Sequence, residues 1–150
     1  MGARRDVVCR QCGRKFTLGE GGGYTFHLLH CDACGAEVTV GFHEIGEAHL
    51  QYLKGLREPY SFVTERKDRE ALESYQGQPI CEAEYVAAVE RVAGQCLCGG
   101  AYRFDAPARC PGCGATQLVD DPQGTVTHYQ IGKREGPDAE RIEEPHGRAP

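Results

Sequence analysis

Eight cysteines in four close pairs constrain this chain more than any other feature. Cys9 and Cys12 (C-R-Q-C-G), Cys31 and Cys34 (C-D-A-C-G), Cys96 and Cys98 (C-L-C-G) and Cys110 and Cys113 (C-P-G-C-G) are each followed by a glycine. A turn that carries two thiolates needs a residue of positive φ just after the second one, where a Cβ would clash; glycine supplies it. It also lets backbone N–H groups approach the sulfurs, which steadies a thiolate. Two such turns brought face to face offer four soft ligands at the corners of a tetrahedron about 2.3 Å from a divalent metal. One C-x-x-C is weak evidence, whereas paired sets with matching glycines read as metal sites.

Proximity along the chain assigns the pairs to two quartets. Cys9 and Cys12 are answered by Cys31 and Cys34, and Cys96 and Cys98 by Cys110 and Cys113. The expected organisation is an N-terminal module over residues 1–43, a helical middle over 44–95, a C-terminal module with a possible last strand over 96–131, and a disordered tail over 132–150. Modules of this size bury too little apolar surface to fold alone. A structural metal makes up the difference, roughly 10–16 kcal/mol per site. The chain has no tryptophan, and nothing in it suggests one large core.

Metal binding requires free thiols. The odd total of nine cysteines fits a disulfide framework badly, no apolar signal segment opens the chain, and no run reaches transmembrane length. The expectation is a cytoplasmic protein without a membrane partner. Seventeen basic against 22 acidic residues give a net charge of −5, and a metal held by four thiolates adds negative charge. That balance disfavours a nucleic-acid-binding surface, which depends on Lys and Arg neutralising phosphates. Only Arg4, Arg5, Arg10, Arg14 and Lys15 form a local basic group.

Along the chain, Lys15–Leu18 and Tyr24–Leu29 read as strands joined by a glycine-rich hairpin tip at Gly19–Gly23, with Val38–Val40 as a third strand. Ile45, Ala48, His49, Tyr52, Leu53 and Leu56 recur at spacings of three and four, which predicts a helix from Glu44 to Leu56. A second helix is expected from Glu65 to Tyr75 with Thr64 as its cap. A third runs from Glu82 to Ala93, with Cys81 at the cap and Glu84 completing a weak capping box. Ala101–Phe104 reads as a strand within the second module. Thr125–Ile131 reads as a last strand pairing on that module.

Other chemistry-bearing residues have plainer readings. His43 and Glu47 lie one helical turn apart, but first-turn acids commonly offset the helix dipole. His27 and His30 read as strand residues beside a cysteine turn that already has its four thiols. Cys81 lacks the neighbouring base that a nucleophile needs. Glu143 and His146 span Pro145 in the tail and read as chance.

The eight paired cysteines and their glycines resemble the zinc-ribbon family. The run C-L-C-G-G-A-Y-R-F-D-A-P-A-R-C-P-G-C is similar to ribbons of bacterial proteins without assigned activity. The resemblance covers about 60 residues and implies a small metal-bound α+β fold: two four-cysteine zinc-ribbon β-hairpin modules joined by about three short helices. It implies two Zn²⁺ ions. Cys110–Gly114 is also similar to rubredoxin-like iron knuckles, so iron stays open at the second site, although Cys96-x-Cys98 departs from that pattern. Four thiolates leave no coordination position for water, which points away from catalysis. The expected function is a non-enzymatic zinc protein acting as an adaptor for another protein, with the helical faces of Tyr52, Leu53, Tyr85 and Val89 as the docking surface if packing leaves them exposed. Nucleic-acid binding and electron transfer by iron are the alternatives.

Overall fold

The computed structural model describes residues 2–23, 25–56 and 66–129. Its elements in chain order are β1 (Gly2–Cys9), β2 (Lys15–Glu20), β3 (Phe26–Cys31), β4 (Glu37–Gly41), α1 (Phe42–Ile45), α2 (Glu47–Lys54), α3 (Arg66–Ser74), α4 (Glu82–Ala93), β5 (Tyr102–Arg103), β6 (Leu118–Asp120) and β7 (Val126–Tyr129). This is a small α+β fold built on two antiparallel sheets.

β1 is the spine of the first sheet. It pairs with β2 along one edge, while β6 and β7 share the other edge, opposite Val7–Cys9 and Gly2–Arg5 respectively. Alternation places Ala3, Val7 and Cys9 on one buried face. Asp6 locks the assembly: its carboxylate accepts from the Thr17 hydroxyl at 2.8 Å and from the Thr125 backbone N–H at 3.0 Å. β3 is the spine of the second sheet, between β4 and β5.

β3 explains why the two sheets stay together. His27, Leu28, Leu29, His30 and Cys31 are all buried, so neither face of this strand meets water. On one side Leu28 packs against Gly19 of β2, where a Cβ would come within 2.8 Å of its methyl. Glu37 reinforces that seam by accepting from the Gly19 N–H at 2.7 Å. On the other side Leu29 joins Val40, Ile45, Tyr52, Leu56, Tyr85 and Val89 in the hydrophobic core beneath the helices.

Three local expectations change in the fold. Lys15–Leu18 and the returning strand do not pair as a hairpin, because β2 pairs with β1 and β3 with β4. The chain crosses from one sheet to the other at the glycine run. The strand expected at Ala101–Phe104 does not pair within its own module either: β5 pairs with β3, and the last strand, β7, pairs with β1. The helix predicted over 44–56 is split at Gly46, whose φ of 68° and ψ of −129° are far from helical.

α3 and α4 lie where periodicity puts helices. Cys81 is the α4 cap, its N–H donating to Glu84 at 2.9 Å, and Gly94 ends the helix with φ 75°. Thr64 and the tail expected at 132–150 lie outside the described residues. Among the described residues, no helix is long and apolar enough to cross a membrane.

The helical faces expected to dock a partner are the inside of the protein. Tyr52, Tyr85 and Val89 are fully buried, and Leu53 is packed against their cluster. Tyr52 and Tyr85 stack with ring centroids 4.0 Å apart and planes 6° from parallel. An apolar stripe on a short helix is most simply satisfied by the sheet it covers, and here β3 and β4 supply that surface.

Candidate metal centres

Each cysteine pair sits in a turn of its own, and three of the four turns are superimposable in hydrogen bonding. Gly13 donates to the Cys9 carbonyl at 2.9 Å, Gly35 to that of Cys31 at 3.0 Å and Gly114 to that of Cys110 at 2.8 Å. The fourth, C-x-C, is one residue shorter, with Gly99 donating to the Cys96 carbonyl at 2.9 Å. All four glycines have positive φ, from 76° to 93°. Backbone N–H groups then reach the sulfurs: Ala33 to Cys31, Ala36 to Cys34, Gly100 to Cys98 and Gly112 to Cys110, each at 3.4 Å. These donors stabilise sulfur as thiolate.

The quartets are not those expected from proximity along the chain. Cys9 and Cys12 converge with Cys110 and Cys113, and Cys31 and Cys34 with Cys96 and Cys98. Strand pairing dictates the exchange. β1 ends in the Cys9 turn, and its partner β6 brings Leu118 opposite Cys9, delivering the Cys110–Cys113 turn just before it. β3 ends in the Cys31 turn, and its partner β5 sets Tyr102 opposite Cys31, delivering the Cys96–Cys98 turn. Asp32 secures the second junction, giving its N–H to the Ala101 carbonyl and accepting the Ala101 N–H on its carboxylate, both at 2.9 Å. Each cluster therefore lies between two turns that come from distant parts of the chain. The clusters are nested: the Cys31/Cys34/Cys96/Cys98 set is the inner one and the Cys9/Cys12/Cys110/Cys113 set the outer.

The geometry fits a tetrahedral ion. Sulfurs are 3.5 Å apart for Cys9–Cys113, Cys12–Cys110 and Cys31–Cys98, and 3.6 Å apart for Cys34–Cys96. Within each quartet all ligand atoms lie within 4.8 Å of one another. A tetrahedron with metal–sulfur bonds of about 2.3 Å has edges of about 3.8 Å, whereas a disulfide requires about 2.05 Å. All nine cysteines are free thiols.

The electrostatics are those of four like groups crowded together. Backbone N–H donation from Cys98 and the Tyr102 hydroxyl pull Cys96 down to about 6. Gly100 pulls on Cys98 in the same direction, but the Cys31 and Cys34 sulfurs outweigh it and push Cys98 up to about 12. In the outer cluster burial opposes ionisation of Cys110, yet the N–H groups of Cys113 and Gly112 bring it down to about 7. Cys113, despite the Ala115 N–H, is pushed up to about 12 by burial and its neighbouring sulfurs. Four thiolates at this spacing repel one another, and a divalent cation at the centre removes that penalty.

Several residues at the inner cluster carry no motif. Gly100 lies so close to Cys31 that a Cβ would be 2.6 Å from its sulfur, and Tyr102 hydrogen-bonds Cys96. A second glycine after a C-x-C-G turn was the available signal for Gly100. Nothing local marks Asp32 or Tyr102, because their partners are distant in sequence.

The remaining sequence candidates hold no metal set. Among the described residues, the two cysteine quartets are the only groups of three or more metal-ligating side chains. Glu47 accepts from the Tyr75 hydroxyl at 2.6 Å. His49 stacks on Phe42, 4.3 Å between centroids. His30 is buried beside Cys31, its Nε2 3.9 Å from Glu37. His27 points into the core instead, where its Nε2 meets the Tyr85 hydroxyl at 2.7 Å while His49 Nδ1 meets the same hydroxyl at 3.1 Å. Burial pushes His27 down to about 3, helped by His49, and His49 to about 4.

Residues 5–119 match the model of a family described as Domain of unknown function (DUF8255). No curated protein and no solved structure matches the chain.

Proposed function

The chain belongs to the DUF8255 family, and we propose that it is a non-enzymatic zinc protein whose two ions hold a binding scaffold in shape for another protein. The observation that supports this most is the closed character of both quartets. Four sulfurs surround each centre within 4.8 Å of one another, so an ion there has no position left for water or substrate. When bound, zinc supplies charge neutralisation and a fixed tetrahedral geometry, and the chain's residues do the rest. Cys9, Cys12, Cys110 and Cys113 tie the end of β1 to the segment before β6. Cys31, Cys34, Cys96 and Cys98 tie the end of β3 to the segment before β5.

Zinc rather than iron is proposed because a purely structural role needs no redox chemistry, and both metals accept four sulfurs. An adaptor role suits a surface that metal keeps rigid. Leu97, between ligands Cys96 and Cys98, is fully exposed, at 106% of its reference accessibility, and is held out on a clamped turn. Elemental analysis of protein purified without added metal tests the reading. Two zincs per chain and a colourless, redox-silent preparation are expected. One or two irons, with visible thiolate-to-iron absorption, would replace it with electron transfer.

A further inference from the structure

The two clusters are nested in sequence, and the turns that carry them pack against one another at Gly35 and Arg109. Closing the outer cluster alone draws together cysteines separated by residues 13–109, roughly a hundred residues. Once the inner cluster has formed, the same closure spans only residues 13–30 and 99–109, roughly thirty. The entropic cost of closure rises as about the 3/2 power of loop length. The inner cluster therefore makes the outer one easier to close by about sixfold, and reciprocity requires the outer to favour the inner by the same factor.

Direct contact adds to this. Gly35, next to ligand Cys34 of the inner cluster, packs so tightly on Arg109 that a Cβ would lie 2.6 Å from the Arg109 Cβ and 3.0 Å from its backbone nitrogen. Arg109 immediately precedes ligand Cys110 of the outer cluster, and its Nη1 donates to the Gly114 carbonyl at 3.1 Å in the outer turn. One side chain thus rests on the inner turn and braces the outer one. β3 carries the same coupling through the fold, since Leu28 and Glu37 seat the second sheet on Gly19 of β2.

We propose that the two metal centres load cooperatively, the inner cluster preparing the outer, so that the chain accumulates less of the one-metal form than two independent sites would. The inference rests on the metal-binding reading and adds a steep response to available metal. A protein of this kind reports or buffers metal over a narrower range than two separate ribbons would.

The test compares zinc affinities by chelator competition. Cys12→Ser/Cys113→Ser leaves only the inner cluster, and Cys34→Ser/Cys98→Ser only the outer. The two-metal formation constant of the unaltered chain, divided by the product of the two single-site constants, gives the coupling. A ratio of about six or more is expected; if one variant binds no measurable zinc while the unaltered chain takes two, the coupling is larger still and the proposal stands. A ratio of one or below overturns it. Inserting about thirty Gly/Ser residues between Asp105 and Ala106, which keeps all eight ligands, doubles the second closure while lengthening the first by only about a third, and should lower the topological coupling about twofold, from about six to about three; an unchanged ratio would contradict the topological origin. Failure of the unaltered chain to bind two metals would instead sink the functional reading itself, which separates the two outcomes.

Discussion

A Cβ on Gly100 would lie 2.6 Å from the Cys31 sulfur, 2.7 Å from the Ala33 Cβ and 2.9 Å from Asp32 Oδ1, so the inner cluster can close only if this position has no side chain. Gly100→Ala should weaken zinc at the inner cluster by at least about tenfold, equivalent to about 1.4 kcal/mol, in chelator competition, while the outer four-sulfur site still forms. At the same scale, the buried His27 gives acid sensitivity of definite sign. Its pKa falls from 6.5 in the unfolded chain to about 3 in the fold, so the unfolded state binds more protons between those values. Stability is therefore full above pH 6.5 and is lost as pH falls towards 3. Between pH 7 and 5.5 this one group costs about 1 kcal/mol. The unfolding free energy of His27→Gln should fall by about that much less over this interval than that of the unaltered chain. Comparing the two cancels the contribution of the cysteine clusters, and parallel curves would refute the assignment.

At the scale of elements, α4 is tied to the sheet by more than apolar contact. The Tyr85 hydroxyl serves both His27 and His49 in a site lined by Phe42 and Phe104. Tyr85→Phe keeps the ring stack with Tyr52 but leaves two buried imidazole nitrogens without that partner. It should cost about 2–4 kcal/mol in urea unfolding of the metal-loaded protein. The elements themselves were largely legible. The glycine after each cysteine pair reported the turn, and the Cys81–Glu84 spacing placed the start of α4. The strand partners were not legible, because the spacing of two cysteines describes the turn that holds them and carries no information about which distant turn completes the site. β3 held the available clue: F-H-L-L-H-C has no polar alternation, and a strand buried on both faces cannot be one arm of a small exposed hairpin. The stripe through Tyr52 on α2 and Tyr85 and Val89 on α4 is apolar as its periodicity indicates, but it is buried in the core, so the exposure that a docking face there would need is not met; periodicity marks a buried face without saying what buries it.

Across the whole molecule, the two cysteine clusters are clasps between distant parts of the chain. The first fastens the end of β1 to the segment before β6 and the second the end of β3 to that before β5, so each sheet depends on a contact between residues some sixty to a hundred positions apart. Chelation should therefore remove far-UV strand signal from both sheets together, and readdition of zinc should restore it; a sheet that persists in strong chelator would mean that its strands hold without the clasp. The central claim, that each cluster joins cysteine turns distant in sequence, is tested most directly by cobalt binding to two double variants. Cys12→Ser/Cys113→Ser should retain one equivalent of cobalt with the absorption of an intact four-sulfur tetrahedron, whereas Cys12→Ser/Cys34→Ser, which breaks both clusters, should retain none. The reverse pattern, an intact site in the second variant and none in the first, would contradict the account.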